Sequence, residues 1–316
     1  MSEQKLEIFN VLDYLNKGNK IEGILKEGTF GTFPSAQDCI KYLVDEGYLE
    51  GEFEAKDSTG DVLTAEEISK KYTVAELKDI LRENGLKVSG KKQELVERVL
   101  PVLNGSVGET EPADNETSYD LKLTDKALKF IDDNQWIDLY MFAIAMFRFD
   151  DYETYVNNSS EDMIQTAHNF CDEVISKALI ANQFLVFIDA LTAKAHVFAY
   201  DKDYESFLDY DLQRFILGLN PIVMDAQTYA KYNVVDYANI LNMKNVTEEV
   251  DLGSLKKRFD RIWAKSNIRN TTVPKKVAYK ILQKAFALAD ERDAADKIEE
   301  LNFDLKEKYF NKKFGI

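Results

Sequence analysis

The stretch Thr73–Leu103 reads TVAELKDILRENGLKVSGKKQELVERVLPVL, and its first part has the pattern of an amphipathic helix. Thr73 precedes Glu76 by three residues, the spacing of a capping box, in which each side chain binds the backbone N–H of the other residue. Gly85 favours the left-handed end of a helix. Between these signals, apolar residues recur at helical spacing: Val74, Leu77, Ile80 and Leu81. The pattern predicts a helix that begins after Thr73 and ends near Gly85.

A second helix with a cationic start follows a short extended segment, Leu86–Val88. The sequence Ser89-Gly90-Lys91-Lys92 opens this helix, and Pro101 is expected to end or kink it. Its apolar positions are Leu95, Val96, Val99 and Leu100. The first backbone N–H groups of a helix lack partners within the helix and carry partial positive charge. The start of this second helix therefore suits a phosphate.

The order of these residues across both helices and the loop resembles the SAP domain, a small helix–loop–helix module that binds DNA. The matching residues are the apolar residues of the first helix, the Asn84-Gly85-Leu86 turn, Ser89-Gly90, Lys92, Glu94-Leu95 and Arg98. Lys91 stands where the family usually has a small polar residue, which favours anion binding. The resemblance covers residues 72–103, about a tenth of the chain. It implies binding of duplex DNA through the second helix, with weak sequence preference and a bias to A·T-rich sites.

The residues that this resemblance places at the DNA are Lys87, Ser89, Gly90, Lys91, Lys92, Gln93 and Arg98. Thr73–Leu103 contains six cations and five acids, a net charge of only +1. Because non-specific affinity for DNA grows with the number of phosphates neutralised, we expect weak binding at physiological salt. The alternative, that the unit serves only for packing or for docking a protein, stays open.

Length and composition limit the classes of protein to which the chain can belong. The chain has 316 residues, enough for two or three domains, and 45% of them are hydrophobic, which excludes a wholly disordered protein. Its net charge of −16 argues against a protein that coats nucleic acid over its whole surface. We find no apolar run of membrane-spanning length and no signal-peptide pattern, so a cytoplasmic location is expected. Cys39 and Cys171 are expected to be reduced core thiols.

The pattern along the chain predicts an all-α protein in three parts. Residues 1–103 form an N-terminal helical unit that carries the SAP-like module, residues 104–120 form a flexible acidic linker, and residues 121–316 form a larger helical domain. Within that domain, Ala190–Pro221 resembles a tetratricopeptide-like helical hairpin, although its second helix is about two residues too long for that repeat. Stacked hairpins of this kind imply a groove suited to a protein partner.

The sequence contains no pattern that favours an enzyme. His168 and Cys171 have ligand-like spacing, but a metal site needs three or four ligands and no second pair is visible. We find neither a phosphate-binding glycine loop nor a nucleophile elbow. The sequence therefore predicts no catalytic residue, no metal and no cofactor.

A second cationic region is Ser254–Phe286, which has ten cations and one acid, Asp260, a net charge of +9. Three interpretations stay open: a second nucleic-acid surface, internal pairing with acidic helices, and binding of an acidic protein, including another copy of the chain. The candidate residues of this surface are Lys256, Lys257, Arg258, Arg261, Trp263, Lys265, Arg269, Lys275, Lys276 and Lys280.

These features together predict a non-enzymatic adaptor that contacts duplex DNA weakly and holds a protein partner through its C-terminal domain. The alternative is a protein-interaction scaffold without a role at nucleic acid. In general style the chain resembles accessory proteins of bacteria and their phages. Its oligomeric state cannot be read from the sequence.

Overall fold

The computed structural model describes residues 2–27, 30–53, 65–83, 86–103, 119–249, 255–269 and 271–316. In these ranges the regular secondary structure is helical apart from two strands of two residues each, so the all-α prediction is confirmed. The turn residues Asn84 and Gly85 and most of the predicted linker lie outside the described residues. No helix in the described ranges combines the length and the apolarity needed to span a bilayer.

The chain divides into two compact units, and the first is Glu7–Ile131. The first helix, α1 (Ser2–Asn16), has residues 2–6 assigned to the second unit and residues 7–16 to the first. The elements in chain order are α1 Ser2–Asn16, α2 Ile21–Glu27, α3 Ala36–Asp45, β1 Leu49–Glu50, α4 Ala65–Lys71, α5 Val74–Glu83, α6 Lys92–Leu103, β2 Lys122–Leu123 and α7 Asp125–Asp133. Helix α6 continues two residues beyond Pro101, so it does not end there, and a kink at Pro101 stays a prediction. A proline near the end of a helix removes only one internal hydrogen bond.

The segment that contains the SAP-like module begins after β1 and ends before β2. These two strands form a short antiparallel pair. Leu49 lies opposite Leu123 and Glu50 opposite Lys122. The Thr124 hydroxyl extends the connection by donating to the Gly47 carbonyl over 2.8 Å. These contacts bring the two ends of that segment together within the first unit.

The second unit comprises Met1–Leu6 and Asp132–Ile316. Its helices are α8 Trp136–Leu139, which runs into a π-helical turn Tyr140–Ile144, then α9 Phe149–Asn157, α10 Met163–Ile180, α11 Phe184–Tyr200, α12 Tyr204–Gly218, α13 Ala226–Lys231, α14 Tyr237–Glu249, α15 Leu255–Lys265, α16 Lys275–Leu288, α17 Ala294–Leu305, a second π-helical turn Lys306–Phe310, and α18 Asn311–Phe314. One large apolar core extends from α10 to the end of this unit.

The helical hairpin predicted around Ala190–Pro221 is present as α11 and α12, which pack against each other. Lys202 makes the turn between them with a positive φ of 62°. The Asp203 carboxylate then caps α12 by accepting from the backbone N–H of Ser206 over 3.0 Å. The tetratricopeptide-like character of this hairpin stays a prediction.

The boundary between the two units does not coincide with the linker expected at residues 104–120. It falls between Ile131 and Asp132, inside α7, because the β1–β2 pair and most of α7 belong to the first unit. A strand of two residues carries no alternating pattern, so this pairing could not be predicted from the sequence. Flexibility of residues 104–120 stays a prediction.

Candidate nucleic-acid interface

Helices α4, α5 and α6 enclose a small core of their own. Its buried residues are Ile68, Leu77, Leu81, Leu95, Val96 and Val99, and Ile80 and Leu100 pack against it. The predicted apolar faces of both helices are therefore confirmed, with one correction. Val74 is 39% exposed, because it is the first residue of α5 and lies beyond the edge of this core. Ile68 of α4 completes the core instead.

The start of α5 has the predicted capping box. The Thr73 backbone N–H donates to Glu76 Oε2 over 2.7 Å, and the Glu76 backbone N–H donates to Thr73 Oγ1 over 3.3 Å. Hydrogen bonds from the Thr73 backbone and hydroxyl, with a smaller contribution from Lys92, lower the pKa of the Glu76 carboxyl. The first turn of α5 is thus fixed locally.

Gly90 shapes the entry to α6. Its φ of 141° lies in a region that favours glycine, and a Cβ there would come within 2.5 Å of Glu94 Oε2 and 2.8 Å of an Arg98 guanidinium nitrogen. The Lys91 carbonyl accepts the first helical hydrogen bond, from the Leu95 N–H over 3.1 Å. The backbone N–H groups that precede Leu95 in α6, those of Lys92, Gln93 and Glu94, consequently have no helical partners.

Arg98 is directed toward the loop that precedes α6. Its Nη1 donates to the Lys87 carbonyl over 2.5 Å and to the Ser89 carbonyl over 2.9 Å. Its Nη2 lies 3.7 Å from Glu94 Oε2. The guanidinium therefore holds the loop in place, a role that the sequence pattern did not distinguish from a direct contact with DNA.

Lys92 is also engaged within the module. Its Nζ donates to the Ser69 carbonyl over 2.7 Å, which connects the start of α6 to the end of α4. Lys87, Ser89, Lys91 and Gln93 are exposed at the same entry. Within the part of the chain that the structure describes, the ammonium groups of Lys87 and Lys91 have neither an ion-pair nor a hydrogen-bond partner.

Two cations at this entry were missed from the sequence. Lys70 and Lys71 end α4 and are both exposed. They directly follow Ser69, whose carbonyl binds the Lys92 ammonium from the start of α6. Including them raises the net charge from +1 to +3 for residues 69–103. The sequence signal that could have identified these two lysines was their position just before the Thr73 cap.

One acid opposes this cationic cluster. The Glu94 carboxylate lies in the first turn of α6, beside Gly90 and Arg98. The start of a helix favours anions, so this carboxylate occupies the electrostatic position that a phosphate would take. A phosphate that binds here competes with Glu94.

About half of the second predicted basic surface is engaged within the fold. Arg258 forms ion pairs with Glu205 and Asp209 of α12, and Arg261 Nη2 lies 2.7 Å from Asp209 Oδ1. Burial raises the pKa of the Asp209 carboxyl, and the Arg261 charge opposes that shift.

The remaining residues of that predicted surface separate into two groups. Lys256 and Lys275 share the Asp260 carboxylate, and their hydrogen bonds lower its pKa. Trp263 is half-buried against the core of the second unit. For these residues and the two arginines, the structure favours internal pairing or packing over a nucleic-acid surface. The other candidates, Lys257, Lys265, Arg269, Lys276 and Lys280, are all exposed, as are the paired Lys256 and Arg261.

The histidines and cysteines form no ligand cluster in the described ranges, where no group of three His, Cys, Asp or Glu side chains could hold a metal. The His168 ring lies 4.1 Å from the Phe198 ring, centroid to centroid, and burial lowers its pKa. Cys39 and Cys171 are buried, and burial raises the pKa of each thiol to about 12. Both therefore stay protonated at neutral pH and are poor nucleophiles. The absence of enzymatic activity stays a prediction.

Comparison with known proteins identifies one module. Residues 69–103 match the family model of the SAP domain. No curated protein and no solved structure matches the chain. The SAP match suggests nucleic-acid binding in general, and its range includes Lys70 and Lys71.

Proposed function

We propose that this chain is a non-enzymatic adaptor, which contacts duplex DNA weakly through residues 69–103 and holds a protein partner through its C-terminal helical unit. The observation that carries the DNA half is the start of α6, where Lys91 is exposed beside backbone N–H groups that have no helical partner. The SAP match over the same residues supports it. The bacterial or phage setting and the cytoplasmic location stay predictions.

The side chains of the module divide into contacting and positioning groups in this proposal. Lys87 and Lys91 neutralise phosphates, and Ser89 and Gln93 donate hydrogen bonds to the same strand. Gly90 lets the DNA backbone approach, since it has no side chain. Arg98 and Lys92 act indirectly, because their donors bind carbonyls of the module itself.

The expected affinity is low and depends strongly on salt. Four exposed cations, Lys70, Lys71, Lys87 and Lys91, set an upper bound of about four phosphate contacts. The slope of log K against log salt is then about −3.6, which corresponds to a loss of ~150-fold between 50 and 200 mM salt. The net charge of −16 repels DNA from the rest of the chain and restricts contact to this module.

The test is a mobility-shift titration of the full chain with a duplex at low salt. K87Q/K91Q removes two exposed charges that have no partner in the described structure, and we expect binding about tenfold weaker. The matched control is K20Q/K26Q, which removes two exposed lysines of the same unit away from α6. Equal affinity for wild type and K87Q/K91Q would remove the DNA half of the proposal.

The second candidate function is a scaffold in which the SAP-like module only packs. The inward donors of Lys92 and Arg98 favour it, since two of the predicted DNA-contacting side chains already have partners in the module. It predicts no affinity for duplex DNA even at low salt. The same titration of the wild-type chain therefore distinguishes the two candidates.

A further inference from the structure

A groove of about 540 Å³ lies at the surface of the second unit, between α16 and the C-terminal end of α17. Its floor is apolar and consists of Val277, Ile281, Leu301 and Leu305, and Tyr309 forms one wall. Ile281, Leu301 and Leu305 belong to the core of the unit, so the floor is fixed. The second π-helical turn forms the end of the groove and adds Lys308 and Tyr309 to its lining.

The rim formed by α16 is cationic. Lys276, Lys280 and Lys284 recur every fourth residue, and all three are exposed. With about 100° of rotation per residue, Lys284 falls within about 20° of Val277 and Lys280 within about 60°. Lys284 therefore lies on the same side of α16 as the floor and Lys280 at the edge of that side, both outside the lining of the groove, and Lys276 continues the row at about 100°, on the solvent side.

These lysines play no part in holding the fold together. Arg258 and Arg261, on the preceding helix, are paired with carboxylates of α12. By contrast, Lys276, Lys280 and Lys284 have no ion pair and no hydrogen bond within the described residues. Their row extends over two helical turns, about 12 Å, which is the length of a short docked helix.

The opposite rim has the other sign of charge. Asp304 and Glu307 are exposed there, and the Lys308 ammonium lies 5.3 Å from the centroid of the Tyr309 ring. A ligand that is negative along its whole length, such as a nucleic-acid strand, is repelled by these two carboxylates. It also gains nothing from an apolar floor.

We propose that this groove binds an amphipathic helix of a partner protein that carries acidic residues along one edge only. Its apolar side chains, spaced three and four residues apart, cover the floor. Its acidic edge faces the α16 lysines, and its other edge, neutral or basic, faces Asp304 and Glu307. This inference rests on the protein-partner half of the proposed function and is independent of the DNA half.

The probes are two synthetic fluorescent helical peptides of sixteen residues with the same apolar stripe. One has glutamates along a single edge, and the other has lysines at those positions. Fluorescence anisotropy with the full chain is expected to give at least fivefold tighter binding of the glutamate-edged peptide. K280E/K284E should remove this preference, because each exposed charge contact contributes a factor of about 1.5 to 5.

The matched control is K202E/K231E, which reverses two exposed charges of the same unit outside the groove. It should leave the preference between the peptides unchanged. Circular dichroism checks that both variants stay folded, as expected for exposed positions.

Four results would overturn the inference: no binding of the glutamate-edged peptide, equal binding of both peptides, an unchanged preference in K280E/K284E, or loss of duplex DNA binding in that variant. The last would assign the lysines to nucleic acid. A dimer of the wild type that K280E/K284E dissociates, seen by sedimentation, would instead identify a second copy as the occupant and also overturn it. Loss of DNA binding in K87Q/K91Q alone bears on the DNA half of the proposed function and leaves this inference unaffected.

Discussion

Replacement of Arg98 distinguishes most clearly between a residue that positions the loop and a residue that binds phosphate. In Arg98→Met the apolar stem of the side chain is kept and its donors are lost. Two charge-assisted hydrogen bonds to the carbonyls of Lys87 and Ser89 disappear. Such bonds contribute about 1.5 kcal/mol or more each when buried. The side chain is 31% exposed, so we expect a smaller total of about 2 kcal/mol.

The consequence is measurable as local opening of the module. Amide hydrogen exchange of the full chain reports the free energy of opening for Leu77, Leu95 and Val99, which are buried in the module's core. A loss of about 2 kcal/mol corresponds to roughly 30-fold faster exchange at these amides. Lys91→Met is the control, because its exposed side chain has no partner in the described structure, and exchange should stay within about twofold.

The salt dependence of DNA binding would show whether Arg98 instead binds a phosphate directly. A direct phosphate ligand contributes about one unit to the slope of log K against log salt. Unchanged exchange in Arg98→Met, together with a slope reduced by about one unit, would refute the positioning role and make Arg98 a ligand.

Three further predictions concern other parts of the chain. Glu94→Gln removes the carboxylate from the start of α6, so binding of duplex DNA at low salt should strengthen about threefold, and weaker binding would contradict this reasoning. Burial lowers the pKa of His168 and His196 below 6.5, so the unfolded chain binds more protons. The free energy of unfolding, from urea titration followed by tryptophan fluorescence, should therefore fall as pH drops below 6.5, and H168F/H196F should flatten this dependence. Asn220→Ala leaves two buried backbone N–H groups, of Thr272 and Val273, without an acceptor and should cost about 3 kcal/mol in the same titration, with a loss below about 1 kcal/mol refuting it.

Local sequence patterns predicted the helices of the SAP-like module correctly. Thr73 and Glu76 form the predicted capping box, and Leu95 and Val99 lie in the core as their spacing required. Such signals act within four residues along the chain, which is why they can be read from it. The turn at Lys202 between α11 and α12 belongs to the same class.

Features that depend on distant residues could not be read in this way. The acidic partners of Arg258 are 49 and 53 residues away along the chain. The pattern showed a cationic segment but gave no sign of which cations α12 would neutralise. The direction of the Arg98 guanidinium and the proximity of Lys70 to α6 likewise follow from packing of three helices.

The salt dependence of DNA binding by the full chain tests most directly whether exposed lysines at the start of α6 hold phosphates. For the wild type we expect a slope of log K against log salt of about −3.6 at most. K87Q/K91Q should reduce its magnitude by about 1.8, while K20Q/K26Q leaves it unchanged. A wild-type chain without measurable binding at low salt, or the same slope in wild type and K87Q/K91Q, would contradict the phosphate contact at α6.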